Sequence, residues 1–337
     1  MRILDGGLLT TVQDLGRIGY QKIGVTPAGA MDAFSLRIAN LLVDNPEDAA
    51  ALEITLKGPV MEFTDDALIA LCGAQLTPKI SDVELPPARA IAVRRGSVLK
   101  LGRCLSGCRA YLAVGGGIDV PVVMGSRSTH LRAGMGGYEG RALRAGDDLV
   151  IGAPSPLARH TIQEALSGGG PLPFALSHRY VDDEDERAAL TPGPIRSLRG
   201  PHFDVLNDAD KRIFLATAFE VSTEADRMGY RLLGPRLSSV QGHDLVSSAV
   251  TTGAVQVPSG GEPIVLMADR QTTGGYPVVA QVITADLRFV AQMKPGDELR
   301  FSAVGIADAQ EALRAMHRSL AEIRKDVDAR VSSRSQR

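Results

Sequence analysis

One polar loop between two apolar runs carries the densest group of side chains that could do chemistry. The apolar run at residues 264–268 ends at Asp269 and Arg270, and a second run begins at Val278. Between them stand an amide, two hydroxyls, two glycines, a tyrosine and a proline. Glycine backbone lets a ligand approach closely, and binding groups are concentrated on such loops. An ordinary turn is the alternative, in which Asp269 pairs with Arg270 and the threonines cap the turn.

Three further clusters place arginine near glycine and near hydroxyls or carboxylates. Such groups are typical of a site for an anion, because a guanidinium can donate two parallel hydrogen bonds to an oxyanion. Each cluster could equally be a buried ion pair that braces a loop. The clusters are Gln13, Asp14 and Arg17 in residues 11–32, Arg127, Ser128, Thr129 and Arg132 in residues 125–143, and Asp226, Arg227, Tyr230 and Arg231 in residues 221–235.

The common catalytic motifs do not occur in the sequence. It has no GxxxxGK(S/T) phosphate loop, no HExxH, no GxSxG and no GxGxxG after a strand, and its six histidines are dispersed. Cys104 and Cys108 are too far apart for a C-x-x-C clip and no histidine pair joins them, so we expect no structural zinc site and assign no metal ligands. A nucleotide site would have to use the glycine-rich turns, whose successive N–H groups can bind an anion.

The elements that position these loops have the pattern of short strands. Glycine and proline recur along the chain and separate short apolar runs. This spacing favours antiparallel sheets closed into barrels or sandwiches over a βαβ winding, so we expect a mainly β fold with a few helices. The predicted strands are residues 67–72, 97–101, 109–114, 148–151, 253–257, 263–268, 278–284 and 298–302.

Two segments have helical periodicity. In residues 32–43 apolar side chains recur every three or four positions, Asp32 can cap the first turn, and Pro46 follows the end. Residues 308–327 carry an apolar stripe, and Asp308 with Glu311 resembles a capping box. We expect both stripes to face a core, although the second could instead dock a partner protein.

Length and composition restrict the class of protein. A chain of 337 residues predicts about two domains. We expect an N-terminal β-rich domain at 1–170, a C-terminal barrel at 190–305 and a helix at 306–330. Residues 167–173, rich in glycine and proline, and the acidic run 182–187 are typical of linkers.

Charge and cysteine content exclude several partners. The formal net charge is −2 and tryptophan is absent, which argues against binding of nucleic acid. No apolar run approaches the roughly 20 residues of a membrane helix, and no leader pattern is present. Three cysteines do not suggest an oxidised scaffold. We therefore expect a cytoplasmic protein without nucleic-acid or membrane partners.

Several segments together resemble the KipA or allophanate-hydrolase-subunit-2 family, also called the biotin-dependent carboxyltransferase-like family. The resemblance runs in order through residues 11–301. It departs from the family pattern at VTPAGAMD and at STEAD, where Ala225 stands in place of the usual serine. The segments are TVQDLGRIGY, GAMD with LRIANLLVDNP, YLAVGGGIDVP, GSRST with LRAGMGG, EADRMGYRLLGP, and ADRQTTGGYP with ITADL.

This resemblance implies two β-rich subdomains of carboxyltransferase type with cyclophilin-like β-barrels. The family includes the C-type component of bacterial 5-oxoprolinase, so the resemblance also implies two partners, a KipI-like B-type component and a LamB/YcsF-like A-type component. Together such proteins hydrolyse 5-oxoproline to glutamate with ATP, and ATP with Mg²⁺ would be shared with the KipI-like partner. Phosphorylation of the lactam oxygen requires alignment of anions rather than a covalent nucleophile.

The polar loop and the resemblance together suggest where an anion would bind. Asp269 and Arg270 are the candidate catalytic residues, with Asp269 orienting Arg270 or a metal. Tyr276 would form a wall of the pocket. The candidate substrate-binding or anion-binding residues are Thr272, Thr273, Gly274, Gly275, Tyr276, Arg227, Arg231, Gln13 and Arg17.

Two other functions stay open at this point. One is a carboxyltransferase, or a component of allophanate or urea-type amide metabolism. Biotin would then arrive on another protein, because Met293-Lys294 is followed by Pro295 and no biotinyl domain surrounds it. We expect no biotin bound to this chain. The other is a regulatory antagonist that binds a KipI-like protein. Related scaffolds host different chemistries, so likeness of fold does not separate these functions.

Overall fold

The computed structural model describes residues 1–168, 170, 172–181, 193–240 and 245–332. The chain divides into two compact units: unit 1 comprises Met1–Arg17, Asp32–Leu190 and Ser319–Arg337, and unit 2 comprises Ile18–Met31 and Thr191–Arg318. The acidic run 182–187 lies outside the described residues. The expected division into 1–170, 190–305 and 306–330 stays a prediction.

Unit 1 is built on two antiparallel sheets in the residues that the structure describes. Its strands are β1 (Arg2–Asp5), β2 (Leu9–Gln13), β3 (Ala51–Thr55), β4 (Val60–Glu62), β5 (Ala67–Gln75), β6 (Lys79–Ile80), β7 (Val83–Glu84), β8 (Arg89–Val93), β9 (Val98–Lys100), β10 (Ser106–Val114) and β11 (Phe174–Tyr180). One sheet has the order β1-β4-β9-β6-β7 and the other β11-β8-β5-β10-β3-β2. Their apolar faces bury a common core that includes Leu52, Leu99 and Leu112.

Two helices of unit 1, α1 (Ala33–Leu42) and α2 (Pro156–Ser167), lie against the second of these sheets. Asp32 accepts a hydrogen bond from the Ser35 N–H at 3.1 Å. It therefore caps α1, as the sequence predicts. The predicted strand at 148–151 is wrong, because Asp148 bridges to Arg2 while Ile151 bridges to Ile118, and no continuous ladder forms.

Unit 2 is a nearly closed barrel. Its strands are β12 (Ile195–Arg199), β13 (Phe219–Val221), β14 (Gly229–Leu233), β15 (Ser248–Ala249), β16 (Ala254–Gln256), β17 (Ile264–Leu266), β18 (Thr273–Gly274), β19 (Val278–Val282), β20 (Glu298–Leu299) and β21 (Phe301–Ala303). The main sheet has the order β20-β13-β14-β17-β16-β19-β12-β21. Its first and last strands are separated in the chain only by Arg300, so the sheet curls back on itself. The mainly β fold predicted from the sequence is confirmed.

The barrel interior of unit 2 is apolar. Phe214, on helix α3 (Asp208–Ala216), stacks on Phe301 with ring centroids 4.6 Å apart. Helix α4 (Leu287–Ala291) contributes Val290 to the same core. The short 3-10 turns of the described chain are Gln21–Ile23, Leu131–Ala133, Phe203–Val205, Ser238–Val240 and Thr284–Asp286.

The last helix, α5 (Ile306–Ser332), confirms the predicted C-terminal helix. Leu320 and Val327 on its apolar stripe are buried, as expected for a stripe that faces a core. The predicted capping box is wrong: Asp308 accepts a bond from the Gly305 N–H at 3.2 Å, and Glu311 instead pairs with arginines of the same helix. Among the described residues, no helix is long and apolar enough to span a membrane.

Candidate functional site

The polar loop that follows β17 is held as a short ladder in unit 2. After the turn at Asp269 the chain returns as β18, which pairs with β15 so that Thr273 stands opposite Ala249. Backbone bonds extend this pairing at both ends, from Val250 N to Thr272 O and from Leu245 N to Gly275 O, each 3.1 Å long. Backbone hydrogen bonds therefore fix the loop without any contribution from side chains.

Asp269 forms a buried ion pair with Arg227. Arg227 donates from Nε to Oδ2 at 3.0 Å and from Nη2 to Oδ1 at 2.9 Å. Both side chains are only 4% exposed. Arg227 Nη2 also donates to the Gly29 carbonyl at 2.7 Å. The sequence left open a pairing of Asp269 with Arg270, and the structure corrects this: Arg227 occupies both carboxylate oxygens.

Arg270 is buried beside this pair in the chain, with 3% of its surface exposed. Its Nε donates to Val250 O over a long 3.4 Å, and its Nη1 has no hydrogen-bond partner in the part of the chain that the structure describes. Its carbonyl accepts a bond from Thr26 Oγ1 at 2.7 Å. Burial lowers the pKa of the Arg270 guanidinium, because a charge loses its hydration there.

The glycines of the loop pack closely against neighbouring groups of the protein. A Cβ on Gly274 would lie 2.6 Å from Gln256 Nε2, and one on Gly275 would lie 3.0 Å from Leu245 O. Gln256 is buried, donates to the Tyr276 carbonyl at 3.2 Å and accepts from Gln271 at 3.3 Å. The side chains of Thr273 and Tyr276 are exposed at this edge, as are Ser248 and Ala249 on the paired strand.

Arg231 does not join the buried pair. Its side chain is 54% exposed and pairs with Glu224 at 3.1 Å on the surface. Asp226 accepts bonds from the N–H groups of Met228 and Gly229 at 2.7 and 3.2 Å, which fixes the turn before β14. Of this arginine cluster, the structure brings Arg227 alone to Asp269 among the described residues.

The second predicted cluster lies in unit 1 and is centred on Asp14. Its Oδ1 accepts bonds from the hydroxyls of Ser126 and Ser128 at 2.7 and 2.5 Å and from Gly16 N at 2.8 Å. Its Oδ2 accepts from Arg127 N at 2.5 Å. The carboxylate thus joins two loops of unit 1 through several donors.

Gln13 and Arg17 flank Asp14 and are fully buried. Gln13 Nε2 donates to Thr11 Oγ1 at 3.0 Å and to Thr129 O at 3.1 Å, while its Oε1 has no hydrogen-bond partner among the described residues. Arg17 donates to the carbonyls of Ser128 and Val123. These two residues belong to unit 1 and the other candidates to unit 2, and their proposed contact with substrate stays a prediction.

Sequence reasoning missed Thr26, Gly29 and Gln256, all of which contact the polar loop or its ion pair. Thr26 and Gly29 lie in an irregular segment where Ala28 and Gly29 have φ of 53° and 89°. The segment VTPAGAMD stood out through its glycine and its resemblance, but no local signal ties it to Arg270. In the described residues, no group of three or more histidine, cysteine or acidic side chains is arranged to hold a metal ion.

Comparison with known proteins gives a consistent result. Residues 23–303 match the family described as carboxyltransferase domain, subdomain A and B. The chain is 39% identical over 312 residues to the 5-oxoprolinase C subunit of Escherichia coli, covering 93% of this chain and 94% of that protein. For the Haemophilus influenzae 5-oxoprolinase C subunit the values are 36% over 326 residues, with coverage of 97% and 98%. Urea amidolyase of Lachancea kluyveri is 36% identical over 322 residues, covering 92% of this chain but 17% of that protein.

Solved structures show the same relationship. Urea amidolyase of K. lactis superposes with a TM-score of 0.81 at 32% identity, covering 96% of this chain and 20% of that chain. Urea carboxylase of Kluyveromyces lactis gives a TM-score of 0.80 at 32% identity, with coverage of 96% and 29%. This chain therefore spans a fifth to three tenths of these two solved proteins.

Proposed function

Because the chain belongs to the family of carboxyltransferase domains with subdomains A and B, we propose that it is one component of an ATP-dependent 5-oxoprolinase complex. One observation carries the proposal: the similarity to two 5-oxoprolinase C subunits extends over nearly the whole length of both proteins. The similarity to urea amidolyase covers only 17% of that protein. The reaction would convert 5-oxoproline, ATP and water to glutamate, ADP and phosphate.

The chemistry of the lactam explains what such a component must do. A five-membered lactam is a poor electrophile, and phosphorylation of its carbonyl oxygen by ATP, which releases ADP, activates the carbonyl carbon. Water then adds to that carbon, the ring C–N bond breaks to free the amine, and a second water hydrolyses the resulting acyl phosphate to glutamate and phosphate. The site must then hold the substrate carboxylate and the nucleotide phosphates in alignment, a task for guanidinium and N–H donors. In this proposal Asp269 and Arg227 fix the loop, Arg270 faces an anion, and Thr272, Thr273 and Tyr276 border the site.

Partner proteins are part of the proposal. A KipI-like B-type partner would complete the site for Mg²⁺ and ATP. A LamB/YcsF-like A-type partner would complete the cytoplasmic complex. The relatives support the need for partners, since they are named as subunits of 5-oxoprolinase.

The test is ADP release from this chain mixed with its B-type and A-type partners, with and without 5-oxoproline. We expect lactam-dependent ADP release that is matched by glutamate formation and lost when any one of the three proteins is omitted. A stable complex with no response to 5-oxoproline would contradict the proposal.

A carboxyltransferase or urea-type function is the second candidate. Its support is the similarity to urea amidolyases and the high structural similarity to urea carboxylase. Replacing 5-oxoproline by urea or allophanate in the same mixture tests it, since nucleotide turnover would then follow the urea-type substrate. Binding of a KipI-like protein without any turnover would instead indicate a regulatory antagonist.

A further inference from the structure

The charges of the loop after β17 do not balance within the described chain. Arg227 and Asp269 form a closed pair, in which two guanidinium N–H groups meet two carboxylate oxygens. Arg270 is buried to the same degree, yet no described acidic side chain lies within ion-pair distance of it. Buried charges are normally paired, because their removal from water costs much free energy. Counted over the described residues, the site therefore carries one positive charge more than its carboxylate offsets.

The hydrogen-bonding groups of Arg270 are also largely unused. A guanidinium has five N–H donors, and with the described residues Arg270 makes one long bond, from Nε to Val250 O. Nη1 is buried without a partner among the described residues. The backbone at this position is fixed, since the Arg270 N–H donates to Met267 O at 3.2 Å and its carbonyl accepts from Thr26. The Arg270 guanidinium is thus buried, fixed in position and provided with N–H groups that have no acceptor among the described residues. Such a group can bind an anion that does not belong to this segment.

We propose that Arg270 binds the carboxylate of the substrate. A single uncompensated charge matches a monoanionic carboxylate better than a phosphoryl group, which carries close to two negative charges. The planar fork of arginine can donate to both carboxylate oxygens at once. Thr272, two residues along the chain and only partly buried, is near enough in sequence to contribute a hydroxyl. In naming 5-oxoproline as the carboxylate, this inference rests on the proposed function.

Thermal unfolding of the full chain tests the inference without any turnover. We expect 5-oxoproline to raise the melting temperature of the wild type, because a ligand that binds only the native state stabilises it. 2-Pyrrolidinone, the same lactam ring without the carboxylate, should leave the melting temperature unchanged. Sodium chloride at equal ionic strength controls for salt, and inorganic phosphate represents the phosphoryl alternative.

The variant Arg270→Met separates binding from folding. It removes an unpaired buried charge and keeps most of the side-chain volume, so the ligand-free variant should melt at or above the wild-type temperature. It should also lose the response to 5-oxoproline. Arg236→Met, which changes an exposed arginine of the same unit that is not among the candidate binding residues, is the matched control and should keep the response.

Several outcomes would overturn the inference. They are an equal shift in Arg270→Met, an equal shift with 2-pyrrolidinone, no shift with 5-oxoproline in the wild type, or a ligand-free Arg270→Met that melts well below the wild type. A larger shift with phosphate than with 5-oxoproline would assign Arg270 to a phosphoryl group.

Steady-state kinetics of the assembled complex distinguish this inference from the proposed function. Arg270→Met should raise the KM for 5-oxoproline roughly ten- to hundred-fold, the equivalent of a hydrogen bond to a charged group, and leave the KM for ATP unchanged. Lactam-dependent turnover with an unchanged KM in the variant would refute the role of Arg270 and leave the function standing. A thermal shift that depends on the carboxylate, without any oxoprolinase turnover, would support the role of Arg270 and refute the proposed function.

Discussion

Two polar loops of this molecule look alike in sequence and differ in their charges. The Asp14 loop of unit 1 and the Asp269 loop of unit 2 each combine a carboxylate, an arginine, hydroxyls and glycine. In the Asp14 loop, the carboxylate accepts bonds from two serine hydroxyls and from backbone N–H groups. In the Asp269 loop, one arginine takes both carboxylate oxygens, while the second, Arg270, has no acidic partner and a buried Nη1 without a hydrogen bond among the described residues.

A cluster of polar side chains in the sequence is therefore a poor guide to function. A better guide is whether each buried charged group of the cluster has its counter-charge and its hydrogen-bond partners. A carboxylate surrounded by neutral donors has a structural role, because it accepts the hydrogen bonds of the loops that it joins. A buried guanidinium without an anion raises the free energy of the ligand-free protein, and such groups are found where a ligand supplies the missing charge. The following experiments test this contrast.

The largest effect is expected from Asp269→Asn. The substitution removes the carboxylate that Arg227 contacts, and breaking a buried ion pair costs about 3–5 kcal/mol of unfolding free energy. The shift of the urea unfolding midpoint measures this loss. Glu224→Gln, which removes the carboxylate of the exposed pair with Arg231, is the control and should change stability by less than about 0.5 kcal/mol. Equal midpoints for the two variants would show that the buried pair adds nothing.

A smaller loss is expected from Asp14→Asn. The amide replaces one acceptor oxygen by a donor, and that NH₂ group must then face either the Arg127 N–H or the serine hydroxyls. Loss of a hydrogen bond to a charged group corresponds to about 1.5–3 kcal/mol, to be read from urea unfolding. Asp119→Asn, at an exposed pair with Arg127, serves as the control. If Asp14→Asn unfolds at the wild-type midpoint, the Asp14 carboxylate does not stabilise the loops of unit 1, and the contrast with the Asp269 loop fails.

Thr26→Val tests the support of Arg270 from outside its own loop. Valine has the shape of threonine but cannot donate to the Arg270 carbonyl, so we expect a loss of about 1 kcal/mol in unfolding free energy. Thr26→Ser keeps the hydroxyl and should retain most of the stability. If serine and valine prove equally harmful, the methyl packing of Thr26 matters and its hydrogen bond does not.

The smallest effect concerns acid stability in unit 1, where Arg141 donates to both oxygens of Asp147 at 2.7 and 2.9 Å. These bonds hold the pKa of Asp147 below its ordinary value of 3.8. The stabilisation is therefore fully present above pH 3.8 and is lost as the pH falls through the lower folded pKa.

Unfolding midpoints recorded from neutral to acid pH check this dependence. Arg141→Met should be less stable than the wild type at neutral pH, and the difference should vanish in acid. Arg2→Met, at an exposed pair with Asp148, should follow the wild-type profile. A constant difference at all pH values would show that Arg141 acts through packing alone.

Much of the fold could be predicted from local patterns. The helix at 32–43 and the strands near 67–72 and 109–114 are confirmed, because hydrophobic periodicity and caps lie within each segment. The strand at 148–151 failed because its residues bridge to two separate parts of the chain, which composition does not encode.

The candidate site was less predictable. The sequence located the crowded loop, but it could not choose whether Asp269 pairs with its neighbour Arg270 or with Arg227, which is 42 positions away. That choice depends on how β14 and β17 align, a property of the sheet register. The contact of Thr26 with Arg270 could not be predicted either, because it joins residues 244 positions apart.

The segment Ile18–Met31 belongs to unit 2 although unit 1 flanks it on both sides in the chain. Its Thr26 emerges from the ribosome 244 residues before Arg270. At synthesis rates of roughly 5–20 residues per second, Arg270 is synthesised on the order of 10–50 s after the segment that carries Thr26. A fragment that starts at Thr191 would never contain it. A continuous segment that encodes the rest of unit 2 therefore lacks the donor to the Arg270 carbonyl.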